Sequence, residues 1–204
     1  MRYFAAFLVV AAQFASLTCS QAADPRFPDW PCNQIKVPEL SPAAMWTGPA
    51  IDKVGNSWED DAKVKDLVER LAARRTSPEE AQELLNGFIV GSPAEKAEKA
   101  TTVFAGLFET LNRQRTAIMD SIERYVRRQR DFAEKIRTET HELWAAQDAP
   151  NLDQTKVDDL ANRITWDTRV FEDRKKTISY VCDAPVTIER RLFSLARDLQ
   201  QLVE

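Results

Sequence analysis

His141 is the only histidine of the chain, and Glu139 and Glu142 stand close beside it. Imidazole and carboxylate on one helix are the beginnings of a metal site. Zinc and copper sites, however, draw on several His or Cys ligands. One histidine does not meet that requirement, so we read His141 as a surface residue and expect neither metal nor cofactor. The paired acids Glu79–Glu80 and Asp158–Asp159 have the right type for general acid–base work. They fall in the first turns of helices, where the dipole accounts for them without catalysis. The sequence lacks Gly-x-Ser-x-Gly, Gly-x-Gly-x-x-Gly, Walker-type and His-Glu-x-x-His signatures. We therefore expect a protein that is not an enzyme, and rank a carboxylate-only hydrolase behind two binding readings.

The other residues with chemistry to offer are cysteines, arginines and tryptophans. Cys32 and Cys182 remain if a leader carrying Cys19 is removed. In an oxidising compartment two cysteines pair, closing a loop of about 150 residues for which chain entropy gives roughly 5 kcal/mol as an upper figure. Two separate thiols are the alternative. Arg124, Arg127, Arg128, Arg130, Lys135 and Arg137 make the densest basic run. It has the charge to hold an acidic partner or an anionic head group. The favoured reading is a solvated face neutralised by Glu123, Asp131 and Glu134, with Glu172 and Asp173 opposite. Trp144 and Trp166 have the residue type of binding hot spots, although core packing is the favoured role. Trp30, Trp46 and Trp58 read as anchors for the segment that holds them.

These residues need a frame, and its limits come first from composition. The chain has 204 residues, 44% hydrophobic and 29% charged, which excludes a disordered tail. Five glycines are too few for an all-β fold or a phosphate-cradling loop. The net charge of −4 offers no uniform basic surface for nucleic acid.

Residues 1–22 read as a secretory signal peptide: Arg2, an apolar run from Tyr3 to Leu17, then Ser20-Gln21-Ala22 with small residues at −3 and −1. Cleavage near Ala22 gives a periplasmic or secreted protein. An uncleaved anchor and lipidation at Cys19 are the rivals. The run is short for a span, and Ser16-Leu17-Thr18 matches a lipidation box poorly. No segment of the mature chain is apolar enough to cross a bilayer.

Residues 23–56 form an irregular arm. Pro25, Pro28, Pro31, Pro38, Pro42 and Pro49 disfavour helix. Its tryptophans and aliphatics call for a groove in the helical body, where Cys32 would pin it. A short helix is expected from Ser41 to Trp46.

Residues 57–204 read as a helical bundle. Ser57 is the expected cap of the first helix, with Glu59, Asp60 and Asp61 in its first turn. Val64, Leu67, Val68 and Leu71 share one face, and Arg74 and Arg75 close the helix. Ser77-Pro78-Glu79-Glu80 and Ser92-Pro93-Ala94-Glu95 open two more. From Pro93 no proline interrupts until Pro150, which predicts one helix of roughly 80 Å.

A seven-residue repeat runs along that helix. One column is Phe104, Leu111, Ile118, Tyr125 and Phe132; the other is Phe108, Arg115, Ile122, Gln129, Ile136 and Leu143. After Ala149-Pro150-Asn151 the repeat resumes through Val157, Ile164, Phe171, Ile178, Pro185, Leu192 and Leu199. A second column holds Leu160, Asp167, Arg174, Val181, Ile188, Leu195 and Leu202. Two long elements joined by a tight turn fold back as a hairpin, pairing residue i with about 298 − i. That register sets Arg115 opposite Asp183 and Gln129 opposite Asp167. Pro185 either kinks the last helix or splits it in two, with Asp183 capping the second part.

The fold class is therefore all-α: an elongated, coiled-coil-like antiparallel helical hairpin with two shorter helices and an irregular N-terminal arm. The expected function is that of an exported envelope protein acting through protein–protein interaction, as adaptor, accessory subunit or chaperone-like holder. The rival is a ligand-binding or sensory helical bundle, with its site at Arg115, Gln129, Asp167 and Arg174. The expected contacts of a partner or ligand are these four with Arg124, Arg128, Trp144 and Trp166. An envelope protein is the expected partner, and homo-oligomerisation is open under every reading.

Overall fold

A computed structural model describes residues 24–204; the expected leader and Cys19 lie outside them. Among the described residues there are four α-helices, three single 3-10 turns and no strand. The helices are α1 (Ala62–Ala72), α2 (Pro78–Phe88), α3 (Pro93–Gln147) and α4 (Gln154–Gln201). The last two, of 55 and 48 residues, pack along each other as the antiparallel hairpin.

Each helix starts where a side chain takes up orphan backbone N–H groups. Ser92 and Glu95 form a full capping box. The Glu95 carboxylate accepts from the Ser92 N–H at 2.8 Å, and Ser92 Oγ accepts from the Glu95 N–H at 3.4 Å. Gly91 just before it has a φ of +128°, which only glycine adopts without strain. Ser77 Oγ accepts from the Glu80 N–H at 3.1 Å, and Asp153 Oδ1 accepts from the Lys156 N–H at 3.1 Å.

The start of α1 differs from expectation. Ser57 opens a 3-10 turn, because its hydroxyl is spent donating backward to the Val54 carbonyl at 2.7 Å. Asp61 is the cap instead, accepting from the Lys63 N–H at 2.8 Å. The helix closes at Ala72, so Arg74 and Arg75 belong to the turn that follows. Likewise the helix expected over Ser41–Trp46 is only a 3-10 turn, Pro42–Ala44, which Ser41 does not cap.

Pro185 does not split the last helix. α4 runs through it, and Asp183 sits in the helix interior, its carbonyl accepting from Thr187 Oγ1 at 2.9 Å. Proline withholds one N–H, the partner of the Val181 carbonyl.

The hydrophobic core occupies the half of the hairpin that holds the start of α3 and the end of α4. Phe104, Leu107 and Leu111 of α3 meet Leu192, Leu195 and Leu199 of α4, with Val68 and Leu71 of α1 and Leu85 of α2 over them. Each such side chain contributes about 1.5–3 kcal/mol by leaving water. Trp46 from the arm stacks on Phe104 with ring centroids 4.7 Å apart. Trp58 lies over Gly106, where a Cβ would come within 2.8 Å of the indole and of Val68. Glycine, a poor helix former, is thus required there by close packing. No residue between Ile118 and Ile188 joins this core. Toward the turn, α1 and α2 no longer cover the two long helices, and the arm reaches them as far as Arg127 and Arg130.

The polar side chains of the seam pair about a turn or more away from the expected partners. Arg115 pairs with Glu189 rather than Asp183, and Asp167 with Lys135 rather than Gln129. Helical side chains lean toward their own N-terminus. In an antiparallel pair both leanings bring an α3 side chain to a higher-numbered residue of α4. Glu139 with Arg163, at 3.6 Å, shows the same displacement. Tyr125, whose hydroxyl donates to the Arg174 backbone carbonyl at 2.9 Å, scarcely shows it, because only one leaning side chain is involved.

Candidate functional site

The arm is strapped across the middle of the hairpin. Cys32 and Cys182 form a disulfide, with Cα atoms 5.5 Å apart. On either side of it polar side chains bind the arm. Gln34 Nε2 donates to the Cys182 carbonyl, and Lys36 pairs with Glu123 while lying 4.7 Å over the Phe27 ring. Trp30 Nε1 donates to the Gln34 carbonyl at 2.8 Å, stiffening the arm itself.

Arg115 is the deepest part of this strap. It is only 2% exposed, and its Nε donates to Glu189 at 2.5 Å. Its two terminal nitrogens donate to the arm carbonyls of Val37 and Pro38. A guanidinium has donors enough for a carboxylate and two carbonyls at once. Arg115 therefore spends its hydrogen bonds inside the fold.

The arginine run is neutralised chiefly from a direction the sequence did not indicate. Asp29 of the arm pairs with Arg127 at 3.0 Å and with Arg130 at 2.5 Å. Arg137 pairs with Glu134, and Arg124 donates to Ser121 Oγ at 2.7 Å. Glu172 and Asp173 do not meet the run; Asp173 is 3.3 Å from Lys176 instead. Among the described residues no carboxylate pairs with Arg128 or with Arg74.

The hydrogen bonds from Arg127 and Arg130 hold the Asp29 carboxyl below its ordinary pKa. A depressed carboxylate contributes stability above its unfolded value and loses it as pH falls through the folded one. We therefore predict that Asp29→Asn lowers the urea midpoint at neutral pH. Wild type and variant should converge once the medium is acidic enough to protonate Asp29. A difference that persists in strong acid would mean that the pair does not fasten the arm.

The other polar seam residues do not gather into one site. Asp167 is buried and bound to Lys135 at 2.6 Å, far along the hairpin from Arg115 and Glu189. Lys135, pulled upward in pKa chiefly by that hydrogen bond, also stands 3.7 Å from Glu139. Gln129 is buried, with no hydrogen-bond partner for its Nε2. Arg174 is exposed and lies 5.3 Å over the Phe132 ring.

Trp144 and Trp166 are not core residues: they are 54% and 64% exposed. Each stands one residue from a seam position, Leu143 or Asp167, and so is turned about 100° away from the partner helix. His141 packs edge-on against Trp144 with centroids 5.1 Å apart, and Leu152 in the turn is 55% exposed. In the turn half the exposed large apolar groups are thus Trp144, Leu152 and Trp166; others, such as Ile35, Val90, Tyr180 and Phe193, are exposed elsewhere. No group of three or more His, Cys, Asp or Glu that could hold a metal occurs among the described residues.

Where the seam loosens between core and turn, an apolar trough of about 400 Å³ opens. Ile118, Ile122, Tyr125, Ile178 and Val181 line it, beneath Arg74.

Compared with known protein families, curated proteins and solved structures, the chain matches none. Among the described residues no helix is long and apolar enough to cross a membrane.

Proposed function

We propose that this is an exported, non-enzymatic envelope protein that works by protein–protein contact, as an adaptor, accessory subunit or chaperone-like holder. The observation that carries this reading is the uneven finish of the hairpin. One half is wrapped by α1, α2 and the arm; the other presents Trp144, Trp166 and Leu152 to solvent. Tryptophan is the residue type most enriched at binding hot spots. Trp144 and Trp166 stand on the two long helices, and a tryptophan has only two side-chain torsions to fix on binding. Export accords with the leader-like first 22 residues of the sequence and with the disulfide.

Replacing Trp144 and Trp166 together by alanine tests the reading. Both are exposed, so the melting temperature should stay within a degree or two while capture of the partner from envelope extract falls by at least about thirtyfold. Unchanged capture would remove the turn half from the interaction. Mass spectrometry of the protein as purified from its own cell tests export separately, since an intact Met1 leader would contradict cleavage near Ala22.

A further inference from the structure

The trough between α3 and α4 is built of residues that the heptad pattern assigns to a closed seam. Ile118, Ile122 and Ile178 belong to its columns, yet they face an opening of about 400 Å³. That volume is at the small-molecule end of binding cavities. A helix of a partner chain would need a much longer channel.

Arg74 stands over this trough and over a second hollow of about 350 Å³ that adjoins it at Ala184. Its position is set by Arg191. The Arg191 guanidinium donates to the Leu71 carbonyl at 2.6 and 2.8 Å and to the Thr76 carbonyl at 3.1 Å. Those two carbonyls are the ends of the turn that carries Arg74. The turn is thus clamped from α4, and the exposed Arg74 has no carboxylate partner among the described residues. A cation carried on a clamped turn above an apolar floor suits a molecule with a negative head on a hydrocarbon body.

We propose that the trough binds a small single-chain amphipathic carboxylate, with its alkyl body on Ile118, Ile122, Ile178 and Val181 and its carboxylate on Arg74. This does not depend on the interaction proposed for the turn half.

Sodium decanoate, well below its micelle-forming concentration, is a suitable probe. Binding is read from the isoleucine δ-methyl resonances of the purified protein. Decanoate should shift Ile118, Ile122 and Ile178 saturably and leave Ile51 unmoved. Arg74→Gln, at an exposed turn position, should weaken binding at least about tenfold, the effect of losing a hydrogen bond to a charged group. Neutral 1-decanol should be weaker than decanoate by a similar factor. Val181→Glu should abolish binding; helix content by circular dichroism verifies that both variants fold. Equal affinity for decanol and decanoate would overturn the assignment, as would an Arg74→Gln variant that binds normally. Non-saturating shifts would do the same. So would groove methyls that move with protein concentration alone, since a second copy of the chain would then be the occupant.

Discussion

Replacing Arg115 by methionine should lower the unfolding free energy by about 3 kcal/mol, as loss of hydrogen bonds to a buried charged group implies. Methionine keeps most of the packing, so the loss isolates the guanidinium. Three acceptors are stranded at once: the Glu189 carboxylate and the Val37 and Pro38 carbonyls. The Glu189 side chain is 32% exposed and can be rehydrated, which keeps the figure below that of a fully buried pair. The matched control is Arg113→Met, two residues away. That side chain is 63% exposed and pairs with Glu109 one turn back, so its loss should cost under about 0.5 kcal/mol. Urea unfolding measures both. Equal stabilities for the two variants would mean that the arm is not held through Arg115.

Removing the disulfide should have an effect of similar size. Replacing Cys32 and Cys182 together by alanine releases a 150-residue loop and should cost about 2–5 kcal/mol. The bond acts mainly on the unfolded chain, whereas Arg115 and Asp29 act on the folded one, so the arm should remain docked at neutral pH. Urea curves with and without a phosphine reductant check this. Wild type should fall to the level of the double variant on reduction, and the variant should not respond. A wild-type curve indifferent to reductant would show that the cross-link contributes nothing to stability.

The helix starts were legible because a few local types decide them. Ser77-Pro78 and Ser92-Pro93-Ala94-Glu95 carry their caps in four residues, and the structure uses them. Ser57 was misleading for a local reason too, since its hydroxyl had a competing acceptor behind it in the Val54 carbonyl. The hairpin and the disulfide followed from proline placement and cysteine count. The heptad columns were right where other elements close over them, at Phe104, Leu111, Leu192 and Leu199. At Ile178 and Val181 the same pattern overstates burial, because a two-helix seam stays half open unless a third element covers it.

The strap contacts were not legible at all. Arg115 binds the backbone of Val37 and Pro38, and any residue type would supply those carbonyls. The exposure of Trp144 and Trp166 was legible in hindsight, since each is the neighbour of a column position rather than a member. Residue type argued for the core, while phase along the helix argued against it, and phase prevailed. The trough beneath Arg74 depends on how the α1–α2 turn is clamped by Arg191, a contact across more than a hundred residues that no local pattern encodes.

On the function proposed above, the exposed half of the hairpin meets another protein. Placing a photo-crosslinking residue at position 144 in the intact cell envelope tests it most directly, with the same residue at exposed Glu83 of α2 as control. One specific partner protein should be joined through position 144 and none through position 83. Crosslinks from position 144 only to this chain itself, or the same set of neighbours from both positions, would contradict it.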